Sequence, residues 1–264
     1  MKKINPISFT KGLWRILTGK PRIPPSLQNN QLLTTILNRR SVRSFSNQKI
    51  PDDVFNAILE AGRLAPSTVN LQTWTFGVFT PSQWKDIFGG SIPFKANKAI
   101  MILGDNYRIK QAEISFPTSP LIEYTIAVMN ASLAAMNMNI AAEALGISSV
   151  MLSETGRSGL LDMAYIKDKL SLPDNVFPLM TMVFGYARAA YPPMPPKFPM
   201  NQIIFSSQYP VPDRKVMDDW VAQMMSGYKA SHLNSSFESQ LEVYKTKIAS
   251  AEDNLKKMIF NSPE

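Results

Sequence analysis

At 264 residues, 45% hydrophobic and 18% charged, the sequence has a globular composition and could bury roughly three quarters of its unfolded surface, as one large domain or two small ones. With no cysteine it excludes disulfides, thiolate nucleophiles, zinc fingers and iron–sulfur clusters, and its one histidine, His232 in "KASHLNSS", argues against a histidine metal site or a Ser-His-Asp triad. The charge of +8 sits at one end: residues 1–51 hold ten Lys or Arg and no Asp or Glu, and the rest holds eighteen basic against twenty acidic residues.

Redox or group-transfer chemistry must therefore come from a cofactor. No apolar run approaches the roughly 20 residues that cross a bilayer, and no uninterrupted apolar stretch precedes a cleavage site near the N-terminus. The expectation is a soluble, cytoplasmic protein.

Residues 1–30 read as a basic extension ending in the Pro-rich joint "GKPRIPPSLQNN". Within it Phe9, Leu13, Ile16 and Leu17 share one face of a short amphipathic helix. "QLLTTILNRR" is a short helix and "IPDDVFNAILEAGRLAPS" a longer one, with Pro51 at its first position, Asp52 and Asp53 in its first turn, and Val54, Ile58 and Ala61 on its inward face. "WTFGVFT" alternates as a strand, "SQWKDIFG" is a helix stopped by Gly89 or Gly90, and "KAIMILGD" is a buried strand.

"LIEYTIAVMNASLAAMNMNIAAEALG" predicts a long helix closed by Gly146, apolar nearly all round and so expected to be buried, at a subunit interface. Its Met129, Met136 and Met138 are read as flexible core filler. Strands "ISSVML" and "VFPLMTMVFGY" follow, separated by the helix "RSGLLDMAYIKDKLSL". Beyond "YPPMPPKFP" come two more helices, one with Val216, Trp220, Met224 and Tyr228 in register, the last with Phe237, Leu241, Tyr244, Ile248, Ala251 and Leu255 at steps of four and three.

Two stretches carry chemistry. "NRRSVRSF", Asn38 to Phe45, holds three arginines and two serines. It reads either as a solvated helix end near the negative pole of the dipole or as a phosphate site, with Arg forks and small hydroxyls as donors. "APSTVNLQTW", Ala65 to Trp74, follows after the intervening helix; its hydroxyls and amides form a neutral hydrogen-bonding ledge suited to a planar heterocycle, or else a turn leading into a strand.

In this order and spacing the two stretches resemble the nitroreductase family of flavin mononucleotide (FMN) enzymes over roughly residues 31–205. The resemblance implies an α+β fold, a central mostly antiparallel sheet flanked by helices, here with N- and C-terminal helical extensions (1–30 and 206–264). It also implies an obligate homodimer with flavin at the interface and reduction by NAD(P)H. By the same resemblance Arg39, Arg40, Ser41 and Arg43 contact the phosphate and ribityl chain. Pro66, Ser67, Thr68 and Asn70, with Gln72 beside them, pack on the isoalloxazine from the other subunit. Met151, Leu152, Ser153 and Glu154 in "VMLSET" approach its N5 and O4 edge. Where the family closes the phosphate site with a basic pair before a proline, this chain has "PPKFPMNQ", making Lys197 the candidate and Arg188 its alternative.

No side chain is assigned a catalytic role, because flavin N5 carries the chemistry, and no metal is expected. The implied reaction passes hydride from NAD(P)H through the flavin to a small electrophile of nitroaromatic or quinone type. The same scaffold also suits reductive dehalogenation, dehydrogenation or a non-catalytic flavin-binding role. Once Arg39, Arg40 and Arg43 are set aside for phosphate, the remaining N-terminal cations fit an arm wrapping the partner subunit or weak contact with an anionic membrane surface. No nucleic-acid partner is expected.

Overall fold

The computed structural model describes residues 6–19, 21, 23–112, 119–152, 159–231 and 236–260. Contacts divide the chain into two units, Pro24–Tyr191 with Thr246–Glu264, and Met1–Ile23 with Pro192–Lys245. The larger unit is α+β. Its strands β1 (Trp74–Phe79), β2 (Lys98–Asp105), β3 (Ser148–Leu152) and β4 (Val176–Gly185) form one antiparallel sheet in the order β1-β2-β4-β3.

Period-two alternation gives the sheet two apolar faces. Ile100 and Ile102 of β2 enter one cluster with Trp74, Phe177 and Phe184, whereas Ala99, Met101 and Leu103 enter the other with Phe79, Val176 and Val183. On β4 the parity changes midway: Phe177 and Leu179 lie with Met182 and Phe184. The cause is a register shift between Ile102 and Leu103, which pair with Met180 and Pro178 and leave Leu179 without a partner. Pro178 has no N–H to give the ladder, so an interior strand tolerates it at a bulge.

Helices cover both faces. On one lie α3 (Asp52–Arg63) and α6 (Pro120–Ala144), joined near their ends by the last turns of α9 (Phe237–Phe260), which bring Ile259 into the same cluster. On the other, α4 (Pro81–Phe88) and α7 (Met163–Leu170) contribute Trp84, Phe88 and Ile166. A Thr80–Gln83 capping box starts α4, and Gly89 at φ +73° ends it, as the sequence anticipates. The helix α2 (Gln31–Asn38) and the short α5 (Tyr107–Gln111) complete the unit.

Three expectations change. Pro51 caps α3 rather than opening it, and the buried line of that helix is Phe55, Ile58 and Gly62, not Val54, Ile58 and Ala61. The reason is close packing: a Cβ on Gly62 would stand 2.7 Å from Met138 Cγ. Helix α6 is not buried all round. Ala127, Ala131, Ala134, Ala135 and Met138 face the core, but Ile122, Met129, Leu133 and Met136 are exposed, so only one of the three methionines fills the core.

In the smaller unit α1 (Pro6–Thr18) packs on α8 (Arg214–Ser231), and Trp220 of α8 stacks on Phe198 at 4.5 Å between centroids. The first turns of α9, with Phe237 against Tyr228, belong here.

One contact ties the sheet to the arginine motif. Phe45, 1% exposed, occupies the space a side chain at Gly185 would need, since a Cβ there would lie 2.9 Å from the ring. Gly185→Ala is expected to destabilise the protein by about 1–3 kcal/mol through this overlap, read as a lower urea midpoint; pairing it with Phe45→Leu should recover part of the loss.

Candidate functional site

The arginine motif begins where α2 stops. Arg40 turns back and donates from Nη1 to the carbonyls of Leu37 (2.9 Å) and Arg39 (2.8 Å), satisfying C-terminal groups of the helix. Beyond it the chain is extended and sewn to the sheet at both sides. Ser41 bridges Ser149 of β3, and the Val42 amide donates to Ser149 O at 3.1 Å. Phe45 bridges Ala187, the Ser46 amide donates to Tyr186 O (2.8 Å), and the Arg188 amide donates to Ser44 O (3.0 Å).

The side chains of this run divide between core and solvent. Val42 and Phe45 are buried, while Arg43 and Ser44 are exposed. The same ladder sets Arg188, also exposed, beside Ser44. Among the described residues none of Arg39, Arg40, Arg43 and Arg188 forms a salt bridge. Arg40 is thus committed to its helix end, Arg43 donates from Nη1 to Ser41 O at 3.4 Å, and among the described residues no carboxylate occupies the forks of Arg39, Arg43 and Arg188. Lys197 lies in the smaller unit and is exposed.

Among the described residues one carboxylate borders the motif. Glu143, at the end of α6, feels Arg39 and Arg40 and bonds to the Tyr191 hydroxyl, which lies 3.0 Å from Ser148 Oγ. Its Oε2 is buried without a hydrogen-bond partner. Burial pushes the Glu143 carboxyl above its ordinary value, opposed by the Tyr191 hydroxyl and then by the two guanidiniums.

The second stretch is a strained loop. Val69, Asn70 and Gln72 all have positive φ (49°, 56° and 51°). Asn takes this region readily, but Val and Gln cost about 1–2 kcal/mol each. Hydrogen bonds offset that cost at about 1 kcal/mol apiece, and more where breaking one would strand a buried group. Asn130 of α6, 1% exposed, is the central anchor: Oδ1 accepts from Thr68 N (3.0 Å) and Thr68 Oγ1 (3.2 Å), and Nδ2 donates to Thr73 Oγ1 (2.8 Å). Ser67 Oγ accepts from the Gln72 amide at 3.0 Å.

Arg108 clamps the far end, donating to the carbonyls of Gln72 and Trp74 and, through Nε, to the buried Asp105 at 3.0 Å. The result is a fixed ledge that leaves Pro66, Thr68, Asn70 and Gln72 exposed. A recess of about 20 Å³ behind it, lined by Leu71, Thr73 and Ile126 among others, has room for water, not for a ring system.

The two stretches do not meet within one chain. Asn139 of α6 binds Ser149 Oγ (2.9 Å) next to Ser41, whereas Asn130 holds the ledge. Nine residues of helix separate these anchors, about 13 Å along the axis. Met151 is half-buried opposite Met182, and Leu152 is 6% exposed with its side chain in the core. Ser153 and Glu154 lie outside the described residues. Sequence reasoning missed Asn130, Asn139, Arg108, Glu143 and Tyr191. The one signal for the asparagines was their presence in a long, largely apolar helix rich in Ala and Met.

Against known proteins, the profile described as Nitroreductase family matches residues 36–92 and 88–186. A protein of Archaeoglobus fulgidus carrying the provisional name NADH dehydrogenase/NAD(P)H nitroreductase is 30% identical over 164 residues, 60% of this chain and 86% of its own. An FMN reductase (NADPH) of Bacillus subtilis is 28% identical, covering 69% of this chain and 76% of its own. Among solved structures, the NfrA1 nitroreductase of B. subtilis superposes with a TM-score of 0.70 at 20% identity, over 88% of this chain and all of that one, a likeness of fold.

Two outcomes are expected. Asn130→Ala strands Thr68 N and Thr73 Oγ1 and should cost about 2–4 kcal/mol in urea unfolding. For Glu143, a carboxyl raised in the folded state favours folding at pH below its ordinary value, and this contribution is lost as pH rises through the folded pKa. Glu143→Gln should therefore gain stability relative to wild type as pH rises from acid to neutral, checked by urea midpoints across that range.

Proposed function

The chain belongs to the nitroreductase family, and from that premise we propose that it is an FMN-dependent NAD(P)H oxidoreductase acting on a small electrophilic acceptor of nitroaromatic or quinone type. NAD(P)H-dependent flavin oxidoreduction follows from the family and from relatives named FMN reductase. The acceptor and the residue assignments are our inference.

The observation that carries the reading is the pairing of unneutralised arginine forks, sewn to the sheet edge, with a strained ledge of exposed hydroxyls and amides. A phosphate dianion fits the first. Arg43, Arg39 and Arg188 offer planar donors that no carboxylate occupies among the described residues, and Ser41 and Ser44 add hydroxyls between them. The ledge suits the second part of the cofactor, because its exposed side chains both donate and accept along a heterocycle edge.

FMN, held by Arg39, Arg43 and Arg188 at its phosphate and by the ledge along its ring, would supply the hydride-transfer chemistry between NAD(P)H and the acceptor. The chain's own work is to hold and orient. Asn130 and Arg108 fix the ledge so that no loop reorganisation is needed at the moment of reaction. The arginines fix the phosphate end, and water delivers the proton the acceptor needs, which is why no histidine or cysteine is required.

A homodimer completes the reading. Ile122, Met129, Leu133 and Met136 leave one side of α6 apolar and exposed, with Val69 of the ledge 83% exposed. A second copy covering that side would bring its ledge toward the first copy's arginines, removing the separation of about 13 Å imposed by a single α6.

Under nitrogen, the purified protein should show flavin absorption that NADPH or NADH bleaches; bands that persist with both donors would refute the reaction. Arg43→Gln should weaken FMN binding about tenfold to a hundredfold and leave apoprotein stability unchanged, since Arg43 is exposed and carries no packing.

A further inference from the structure

The helix α1 uses its apolar side within its own unit. A Cβ on Gly12 would stand 3.0 Å from Ser226 Oγ, one on Gly227 would stand 2.8 Å from Ile16, and Phe9 and Leu13 are half-buried. The opposite side is unusual. Lys11, Trp14 and Arg15 follow one another at helical spacing and are all exposed, Trp14 at 69%, and Leu17, which the sequence groups with Phe9, Leu13 and Ile16, is instead exposed at 61% at the margin of this side. Among the described residues neither Lys11 nor Arg15 is paired with a carboxylate.

We propose that this outward face of α1 is a docking surface for an anionic lipid bilayer, with Trp14 and Leu17 entering the headgroup region and Lys11 and Arg15 resting on lipid phosphates. Charge complementarity selects this occupant. Met1–Ile23 carries six Lys or Arg and no carboxylate, while the other segment of its unit, Pro192–Lys245, is balanced at five and five. An indole among cations suits the interface between water and hydrocarbon, because its ring is apolar and its N–H is not. A second copy set face to face would bring like charges together. Nucleic acid would use the cations but leave Leu17 without a role.

One short helix with two described cations gives reversible, salt-sensitive binding. The test uses the full-length protein with phosphatidylcholine vesicles, with and without phosphatidylglycerol, at low and high salt. Sedimentation with the anionic vesicles alone, reversed by salt, is the expected result. Lys11→Gln combined with Arg15→Gln should weaken it about thirtyfold, and Trp14→Ala should weaken it as well.

Tryptophan emission reports the contact directly, since Trp74 and Trp84 are buried and Trp220 is stacked on Phe198. Binding should shift it to the blue in wild type and not in Trp14→Ala. Four outcomes overturn the proposal: no sedimentation with anionic vesicles at low salt, sedimentation indifferent to the three substitutions, dissociation of the protein into smaller species by Trp14→Ala in analytical ultracentrifugation, or duplex DNA bound as tightly as the vesicles. None of these readouts involves the flavin, so their failure and that of the reductase reading are separate events.

Discussion

The side-chain amide of Asn130 is buried on a helix rich in alanine and methionine, and the geometry of the candidate site depends on it. One oxygen holds Thr68 and one nitrogen holds Thr73, so the two ends of the strained loop are fixed to the same point. Two further amides on α6 do similar work. Asn137 donates to Ala61 O at the end of α3, and Asn139 accepts from Ser149 next to the arginine motif. The helix acts as a ruler: its rise fixes the distance between the parts, and its buried amides fix where each part attaches.

The charge arrangement is the complement of this rigidity. Guanidiniums that no carboxylate pairs with among the described residues repel one another, a cost lessened because Arg43 and Arg188 are exposed and because Arg40 is drawn to a helix end. Among the described residues Glu143 is the nearby carboxyl with a direct electrostatic role, and burial disfavours its charged form. The motif is therefore a cationic surface that few carboxylates among the described residues neutralise.

Most elements were legible in the sequence where a local cause produces them. The strand at 98–105 follows from its continuous apolar run and the stop at Gly89 from a left-handed glycine, while the α+β arrangement was what the family resemblance implied. What was not legible depends on partners far along the chain. The parity change on β4 needs the bulge opposite Ile102 and Leu103, and the inward line of α3 includes a glycine because Met138 fills its place. In the site, the arginine motif and the ledge were visible as stretches of unusual composition. That Arg40 turns inward to its own helix while Arg188 is carried to the motif by a backbone ladder is a tertiary fact. The smaller unit is the same case, since nothing local in "SFTKGLWRIL" says that its apolar side meets α8.

The extended run from Ser41 to Ser46 has a second consequence. It lies along β3, which is an edge of the sheet, and occupies backbone groups there through Ser149. An uncovered edge invites strands from other molecules, the first step toward aggregates. The segment that presents the arginines is therefore also a guard on that edge, held by its backbone bonds to Ser149, Tyr186 and Arg188 and by one phenylalanine seated over one glycine. Lesions that loosen Phe45 would show themselves first as insolubility during synthesis, before any defect in turnover could be measured.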